Sequence, residues 1–343
     1  MSRVLVLRTG SFSRRTTTRA FVVGLLLIVA AAACLPAALM LGTRALSPGD
    51  VLAALGPQAN PADRLVVLEW RAPRAVAAVV FGACLGLSGA IFQSLTRNPL
   101  GSPDVIGLNT GAYTGVVCAL TLGATGFGAQ AAGAVLGGLG AAAVVYLFAF
   151  RQGVRGIRLI VVGIAVSAML SSVNTWFSVK ADLDVALQVA VWGAGTLSGV
   201  SWPPVLFAAA AAFGLMLVAP AAGRRMRQLE LGDDTAAMLG VAVERSKVLL
   251  LVLGSLLTAV VTAVTGPVAF IALAAPQISG RLTGHGASAD PLGAALTGAV
   301  LMSAADLLAQ HAIPGANLPV GAVTVCLGGA YLVWLLIRES RRW

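Results

Sequence analysis

Apolar runs of about twenty residues recur along almost the whole chain, and they constrain its fold more than any other feature. An apolar helix of about 20 residues is what one crossing of the bilayer core requires. Of the 343 residues, 58% are hydrophobic and only 10% are charged, and the mean hydropathy is +0.91. Soluble domains are far more polar than this. The sequence therefore predicts a polytopic membrane protein surrounded by lipid.

Ten apolar runs approach this length, which predicts an all-α protein with about ten transmembrane helices. Their approximate ranges are 20–42, 73–93, 105–123, 128–150, 157–178, 204–222, 246–264, 266–280, 291–309 and 318–337. Residues 1–19 form a basic segment before the first run. That run is too long for the apolar region of an export signal, so we interpret it as a retained helix.

The distribution of basic residues supports this count of crossings. If the N-terminus is cytoplasmic, only Arg44, Arg64, Arg71, Arg74 and Lys180 of the 23 basic residues fall on the external side. An excess of arginine and lysine in cytoplasmic loops is the usual positive-inside pattern. We therefore expect both termini in the cytoplasm, one transmembrane domain over residues 20–337 and a short tail over residues 338–343. Topology also explains the net charge of +10 without nucleic acid, since no basic patch is interleaved with aromatic residues.

Four polar or proline-containing stretches interrupt the apolar pattern. Irregular backbone at membrane depth occurs only where protein covers it or where it lines a cavity. The first stretch, residues 92–112, contains Pro99, Gly101 and Pro103, which exclude one continuous helix. It is either a connecting loop or part of a functional site. The second, residues 151–158, is a short basic turn that we interpret as a topology anchor.

The third interruption is the cytoplasmic loop of residues 223–247. Its sequence GDDTAAMLGV predicts a two-turn helix that Asp233 or Asp234 caps and that ends at Gly240. A helix this short is unstable alone in water, so another part of the molecule must hold it. It either lies on the membrane surface or docks a soluble cytoplasmic partner, and the mixed charges beside Leu239 and Val241 favour docking.

The fourth interruption lies on the external side, where Arg71 and Arg74 stand three residues apart in VVLEWRAPRAV. Arginines at this spacing can face one direction and bind carboxylates in a bidentate manner. They are candidate contacts for an acidic external partner. The alternative is that they anchor a helix end at the membrane interface.

Enzyme functions find little support in the sequence. The pattern G-x-x-x-x-G-K-[ST] is absent, and the only lysines are Lys180 and Lys247, so no P-loop is present to bind ATP. Four isolated cysteines and two histidines without an acidic cluster predict neither disulfides nor a metal site. GLSG, residues 86–89, has the spelling of an intramembrane serine protease with His285 or His311 as the base. The same small residues equally serve helix packing.

Asp306 is the one carboxylate deep in a predicted crossing. A charge at the centre of a membrane helix costs about 2.5–3.5 kcal/mol on insertion scales. Asp306 is therefore expected to lie near a helix end, to be paired or to be functional. Proton coupling through Asp306 would make the chain a secondary transporter, which is the main alternative function that the residues allow.

Five stretches together resemble the permeases of the iron-siderophore and vitamin B12 family of ABC importers. They are WRAPR, GACLGLSGAIFQSLTRNPLGSPDVIGLNTGA, GDDTAAMLGVAVERS, GPVAFIALAAP and LPVGAVTVCLGGAYLVWLL, and they extend from the second predicted crossing onward. The resemblance implies the BtuC-like type II importer permease fold and a non-catalytic subunit without its own cofactor. It also implies a second permease subunit, two cytoplasmic ATPases and an external binding protein that delivers a ferric siderophore. The most similar members imply a catecholate chelate and two non-identical permeases.

The resemblance also assigns roles to individual residues. The helix after Gly232 would be the coupling helix that sits in a groove of the ATPase, and Arg71 and Arg74 would meet acidic residues of the binding protein. The coupling contacts would be Gly232, Asp233, Asp234, Thr235, Ala236, Leu239, Gly240 and Val241, and the residues near the cytoplasmic gate would be Asn98, Pro99, Leu100, Gly156 and Ile157. The chain departs from the family pattern at Gln277, where many members have histidine, and at Gln310, where some have a third docking arginine.

Overall fold

The computed structural model describes residues 4–9, 12–42, 44–56, 59–124, 126–149, 156–284, 290–313 and 316–340, and nearly all of them are helical. The helices are α1 (Thr18–Met40), α2 (Pro48–Ala54), α3 (Pro61–Arg64), α4 (Ala72–Thr96), α5 (Leu108–Thr121), α6 (Phe127–Ala149), α7 (Gly156–Lys180), α8 (Leu183–Gly193), α9 (Trp202–Glu230), α10 (Asp233–Met238), α11 (Val243–Thr265), α12 (Ile271–Thr283), α13 (Pro291–His311) and α14 (Val320–Ser340). A π-helical segment, Leu65–Arg71, joins α3 to α4.

Each of the ten predicted crossings corresponds to one helix, and the predicted helical membrane architecture is confirmed. The ten are α1, α4, α5, α6, α7, α9, α11, α12, α13 and α14. Seven helical stretches of the described chain are long and apolar enough to cross a membrane. By contrast, α5 and α12 have only 14 and 13 residues. Of the non-helical stretches before them, 101–107 is mostly buried and 266–270 is buried or half-buried, so protein covers this irregular backbone.

Several elements were not expected from the apolar runs. Strands β1 (Val4–Thr9) and β2 (Phe12–Thr17) form an antiparallel hairpin before α1. Helix α8 has 11 residues, too few to be counted as a crossing. Helix α9 continues to Glu230, eight residues beyond its predicted end at 222, because apolar length sets where a crossing stops but not where helical hydrogen bonding stops.

Small residues bring α4 close to its neighbours at the centre of the bundle. A Cβ atom added at Gly86 would lie 2.1 Å from the carbonyl oxygen of Ala294 on α13, and one added at Gly89 would lie 1.6 Å from that of Ala272 on α12. Only glycine permits these backbone contacts, which follow the small-residue packing of membrane helices. Phe81 and Phe92 of α4 are fully buried in the core. The predicted role of the GLSG region in packing is confirmed.

The two ends of the bundle hold the predicted sites. The α10 end contains α10, the C-terminal ends of α4 and α9 and the beginnings of α7 and α11. The opposite end, here the Arg74 end, contains α2, α3, the beginning of α4 and the C-terminal part of α13. Residues 151–155 of the predicted basic turn 151–158, the histidine His285 and the tail after residue 340 lie outside the described residues, whereas residues 156–158 begin α7.

Candidate functional site

Arg74 lies at the beginning of α4 and forms a bidentate ion pair with Asp306 of α13. Its Nε atom is 3.0 Å from each carboxylate oxygen, and its Nη2 atom is 2.8 Å from Oδ1. The Gln310 amide donates a further hydrogen bond to Oδ2 at 2.9 Å. The side chain of Asp306 is only 2% exposed and that of Arg74 13%. Asp306 is therefore paired, one of the three situations expected for it.

Arg71 has a different set of partners from Arg74. Its guanidinium donates to the carbonyl oxygen of Leu39 in the last turn of α1, at 2.7 Å, and to that of Arg44 after α1 ends, at 2.6 Å. The last carbonyls of a helix lack intrahelical donors, and a cation there also meets the negative end of the helix dipole.

The two arginines thus do not share one outward face, contrary to the expectation drawn from their spacing. The reason is the crossing of elements at this end: α1 approaches Arg71 and α13 approaches Arg74. Arg44, with a side chain 57% exposed, and Arg64 are the more accessible cations there. Binding of an acidic partner by Arg71 and Arg74 stays a prediction.

At the α10 end, the carboxylate of Asp233 holds three helices together. Its Oδ1 atom accepts a hydrogen bond from Nη2 of Arg97, which follows α4, and its Oδ2 atom lies 2.7 Å from Nζ of Lys247 on α11. Arg97 also donates from Nε to the carbonyl oxygen of Leu229 on α9, at 2.9 Å. Burial opposes ionisation of Asp233, but Lys247 and Arg97 outweigh it and hold its pKa below the ordinary value. This cluster supplies the support that the short helix needs.

Helix α10 ends as expected at its C-terminus but begins differently from the expectation. Gly240 has a φ of +80°, the left-handed conformation anticipated for it, and the Val241 N–H donates to the carbonyl oxygen of Ala236. The expected side-chain cap is wrong, because Gly232 with a φ of +110° precedes the helix and no side chain accepts its first N–H groups. The carboxylate of Asp233 instead binds the two cations.

The exposed surface of α10 differs from the expected one at Ala236. This residue is fully buried within the chain, so the expectation that it faces a soluble partner is wrong. Asp234, Thr235 and Leu239 are exposed, and Met238, which the sequence analysis did not single out, is 81% exposed. A large exposed thioether next to an exposed leucine is a recognisable docking surface, but the sequence shows only that the two residues are adjacent and not that they are exposed.

The predicted gate residues meet at the same end. Asn98 closes a tight turn by accepting the N–H of Leu100, and the carbonyl oxygen of Pro99 accepts a 2.7 Å hydrogen bond from the Gln277 amide of α12. Gly156, at the beginning of α7, packs so closely that an added Cβ would lie 2.3 Å from the carbonyl oxygen of Thr96. Ile157 is 76% exposed. The structure thus brings residues 98–100 and 156 into one cluster, with Ile157 at its edge.

A cavity of about 520 Å³, lined mostly by residues with hydroxyl or amide groups, lies between α5, α7 and the stretch before α12, and it was not expected from the sequence. Its lining comprises Asn109, Thr110, Tyr113, Ser171, Asn174, Thr175, Ser178, Val179 and Pro267. Asn174 is 6% exposed, and its Oδ1 atom accepts no hydrogen bond within the described chain. The spacing of 171, 174, 175 and 178 places four polar side chains on one face of α7, a signal present in the sequence.

Ser88, the nucleophile in the protease alternative, is fully buried between α4 and α11. Its Oγ atom lies 2.8 Å from the carbonyl oxygen of Gly254 and 2.8 Å from the Thr258 hydroxyl. His311 is exposed near the other end of the bundle and contacts the carbonyl oxygen of Leu307. Ser88 therefore joins two helices rather than facing a substrate. No group of three or more His, Cys, Asp or Glu residues within the described ranges could hold a metal ion.

Comparison with known proteins gives matches along the whole chain. The chain is 48% identical over 301 residues to the ferric enterobactin transport system permease protein FepG of Escherichia coli K12, covering 88% of this chain and 91% of that protein. It is also 35% identical to FepD, the second ferric enterobactin transport system permease protein found in the same organism. That match covers 94% of this chain and 97% of FepD. A solved structure described as a metal-chelate type ABC transporter in an inward-facing conformation superposes with a TM-score of 0.81 at 26% identity, covering 93% of this chain and 98% of that one.

The match to a family extends across nearly all of the helices described above. The description of that family is the FecCD transport family, and its model matches residues 26–338, from within α1 to near the end of α14. The matched residues include both the Arg74–Asp306 pair and the Asp233 cluster. The chain is a multi-pass membrane protein and belongs to the FecCD transport family.

Proposed function

We propose that this chain is one of two permease subunits of an ABC importer that moves a ferric siderophore across the cytoplasmic membrane. The observation that supports this most strongly is the 48% identity to a ferric enterobactin permease over 88% of the chain. The same relative favours a catecholate chelate. FepG and FepD bear the same transport-system name in one organism, which favours a non-identical second permease as the partner.

Separate ATPase subunits would bind at the α10 end, on the cytoplasmic side. Here α10 offers Met238 and Leu239 as exposed apolar side chains on a helix that Asp233 fixes to α4 and α11. Apolar anchors surrounded by polar residues are what a groove of a soluble partner recognises. In this proposal the exposed residues among 232–241 contact the ATPase, whereas Ala236 is buried within the chain. The chain itself would be non-catalytic and without a cofactor.

An external binding protein would dock at the Arg74 end. Arg71 and Arg74 fix the helices there, and exposed Arg64 adds positive charge at the same end, where exposed Arg44 pairs with Asp63 at 3.0 Å. Positive charge of this kind steers an acidic partner toward the surface and sets its orientation. We keep Arg71 and Arg74 as docking residues in this proposal, acting together with their more exposed neighbours.

The chelate would pass along the polar face of α7. The cavity beside it is lined by hydroxyl and amide groups that can exchange hydrogen bonds with a polar cargo, and its 520 Å³ can admit part of a chelate. Residues 98–100, Gly156 and Ile157 would form the cytoplasmic gate at the end of this route. The second permease would close the other side of the pathway.

Uptake assays with several chelates test the proposal. A strain in which the gene for this chain is deleted would be supplied with iron bound to a catecholate, a hydroxamate or a citrate-type chelator, and radiolabelled iron would be counted in the cells. The proposal predicts that deletion abolishes uptake of the catecholate chelate and that the intact chain restores it. If the intact chain restored uptake of the hydroxamate chelate alone, the proposed substrate class would be wrong. If deletion changed the uptake of no chelate, the transport role would be wrong.

A further inference from the structure

Arg97 ends α4 in a conformation that its residue type does not favour. Its φ is +50° and its ψ is +36°, the left-handed region in which helices usually end on glycine or asparagine. A non-glycine residue stays in this region when surrounding contacts fix it, and such positions concentrate at functional sites. A glycine would form the same turn, so the side chain of Arg97 must serve another purpose.

The Arg97 side chain connects two other elements to the end of α4. Its Nε atom donates to Leu229 at the end of α9, and its Nη2 atom donates to Asp233 at the beginning of α10. Asp233 is itself fixed from the other side by Lys247, whose side chain is only 5% exposed. Lys247 also lies 3.6 Å from Glu244 on its own helix, but Asp233 is the nearer carboxylate at 2.7 Å, so movement of Asp233 away from α11 would break a largely buried ion pair. Asp233 and α10 therefore move as one body with α11.

The residues after Arg97 are the proposed gate. Residues 98–100 form the tight turn, and the carbonyl oxygen of Pro99 is held by Gln277 of α12. The carbonyl oxygen of Thr96, just before Arg97, contacts the backbone at Gly156. Arg97 thus stands between the helix that would bind the ATPase and the segment that would close the pathway. Within the described residues, the Arg97 side chain forms the hydrogen bond that joins the end of α4 to α10.

We infer that Arg97 is a positioning residue that transmits movement of α10 to the gate through its contact with Asp233. The inference rests on the proposed function and adds to it the route of coupling. A displacement of α10 by the ATPase would pull on Arg97 and, with it, on the backbone of Asn98 and Pro99. Gln277 would act as the fixed point on α12 against which this turn moves.

The test uses the whole transporter in proteoliposomes: this chain, its partner permease, the ATPases and the binding protein loaded with ferric enterobactin as the probe. Chelate imported and ATP hydrolysed are measured on assembled complexes of the wild type, Arg97→Gln, Arg97→Lys and the matched control Arg225→Gln. Arg225 is exposed near the same end of α9 and has no place in the proposed gate.

The inference predicts that Arg97→Gln keeps ATP hydrolysis but lowers chelate imported per ATP by at least about fivefold, the lower limit of typical coupling between sites. Arg97→Lys, which keeps the charge beside Asp233, is expected to recover part of this ratio, and Arg225→Gln to match the wild type. An unchanged ratio in Arg97→Gln would overturn the inference. So would loss of assembly with a normal ratio in the complexes that do form, since the contact would then serve folding alone. A wild-type complex that hydrolyses ATP but imports no chelate would instead contradict the proposed function.

Discussion

Arg74 and Asp306 are 232 residues apart in the sequence and form a bidentate ion pair that joins α4 to α13. The pair lies near one end of the bundle, where Asp306 is almost completely buried. An ion pair satisfies both charges without any exchange of protons with the solvent. This finding favours a structural role for Asp306 over the proton-coupled alternative.

Replacement of Asp306 should therefore affect stability more than energy coupling. Asp306→Asn keeps one acceptor for Arg74 but leaves its charge without a counterion, and breaking a buried pair costs roughly 3–5 kcal/mol. We expect a lower melting temperature of the purified chain, with ATP-driven uptake per assembled transporter largely unchanged. Gln310→Ala removes only the neutral hydrogen bond to Asp306 and serves as the milder control. Uptake that persists without ATP and stops when the proton gradient is dissipated would revive the secondary transporter.

Close helix packing at Gly86 gives a second prediction. A Cβ atom there would overlap the carbonyl oxygen of Ala294, which is backbone and cannot rotate away. Gly86→Ala should therefore separate α4 from α13 and destabilise the chain by about 1–3 kcal/mol, as overpacking does. Gly140→Ala on α6 is the matched control, because no atom lies within 4 Å of its added Cβ. The measurement is the fraction of each detergent-solubilised variant that remains monodisperse after heating. Equal fractions for Gly86→Ala and Gly140→Ala would contradict the close contact between α4 and α13.

The exposed side of α10 gives a third prediction, about the ATPase. Met238→Asp and Leu239→Asp should abolish co-purification with the ATPase, because each places a charge in an apolar contact. Capture of the chelate-loaded binding protein at the other end should persist. Arg71→Glu with Arg74→Glu should give the opposite pattern, with a lower yield because both arginines also hold helices together. Retention of the ATPase by both α10 variants would remove α10 from the coupling surface.

Acid pH should release α10 from its anchors. Lys247 and Arg97 hold the pKa of Asp233 below its ordinary value of 3.8. A carboxylate with a lowered pKa in the folded state stabilises that state above the unfolded pKa, and this stability is lost as the pH falls through the folded value. Hydrogen-exchange protection of the α10 amides should therefore be constant above the ordinary aspartate pKa and fall below it. Asp233→Asn should lower protection above the ordinary aspartate pKa and remove this pH dependence, whereas Asp234→Asn should behave as the wild type.

Much of this architecture was predictable because membrane crossings have a length and a polarity that one sequence displays. All ten apolar runs became helices, and Gly240 took the left-handed conformation that its place after Asp233–Met238 suggested. What the sequence did not reveal were contacts between distant residues. Asp233 looked like a helix cap, but its carboxylate binds Arg97 and Lys247, and nothing local distinguishes the two uses. Ala236 was similarly misassigned, since a six-residue helix has no periodicity from which to choose its buried face.

The polar face of α7 was predictable in principle and was missed. Ser171, Asn174 and Ser178 follow helical spacing within an otherwise apolar run. Polar groups at membrane depth indicate a cavity or a partner. The short helix α8 could not have been found in this way, because a mostly apolar helix of 11 residues resembles a buried core segment as much as a membrane element.

The most direct test of the central claim is ATP-driven import of radiolabelled ferric enterobactin into proteoliposomes. Liposomes containing this chain, the second permease and the ATPases would receive the loaded binding protein outside and ATP on the side that carries α10. The account predicts import that requires ATP and every component, and neither ATP hydrolysis nor import when this chain is reconstituted alone. ATP hydrolysis by the pure single chain, or import by it along a proton gradient without ATP, would contradict the account.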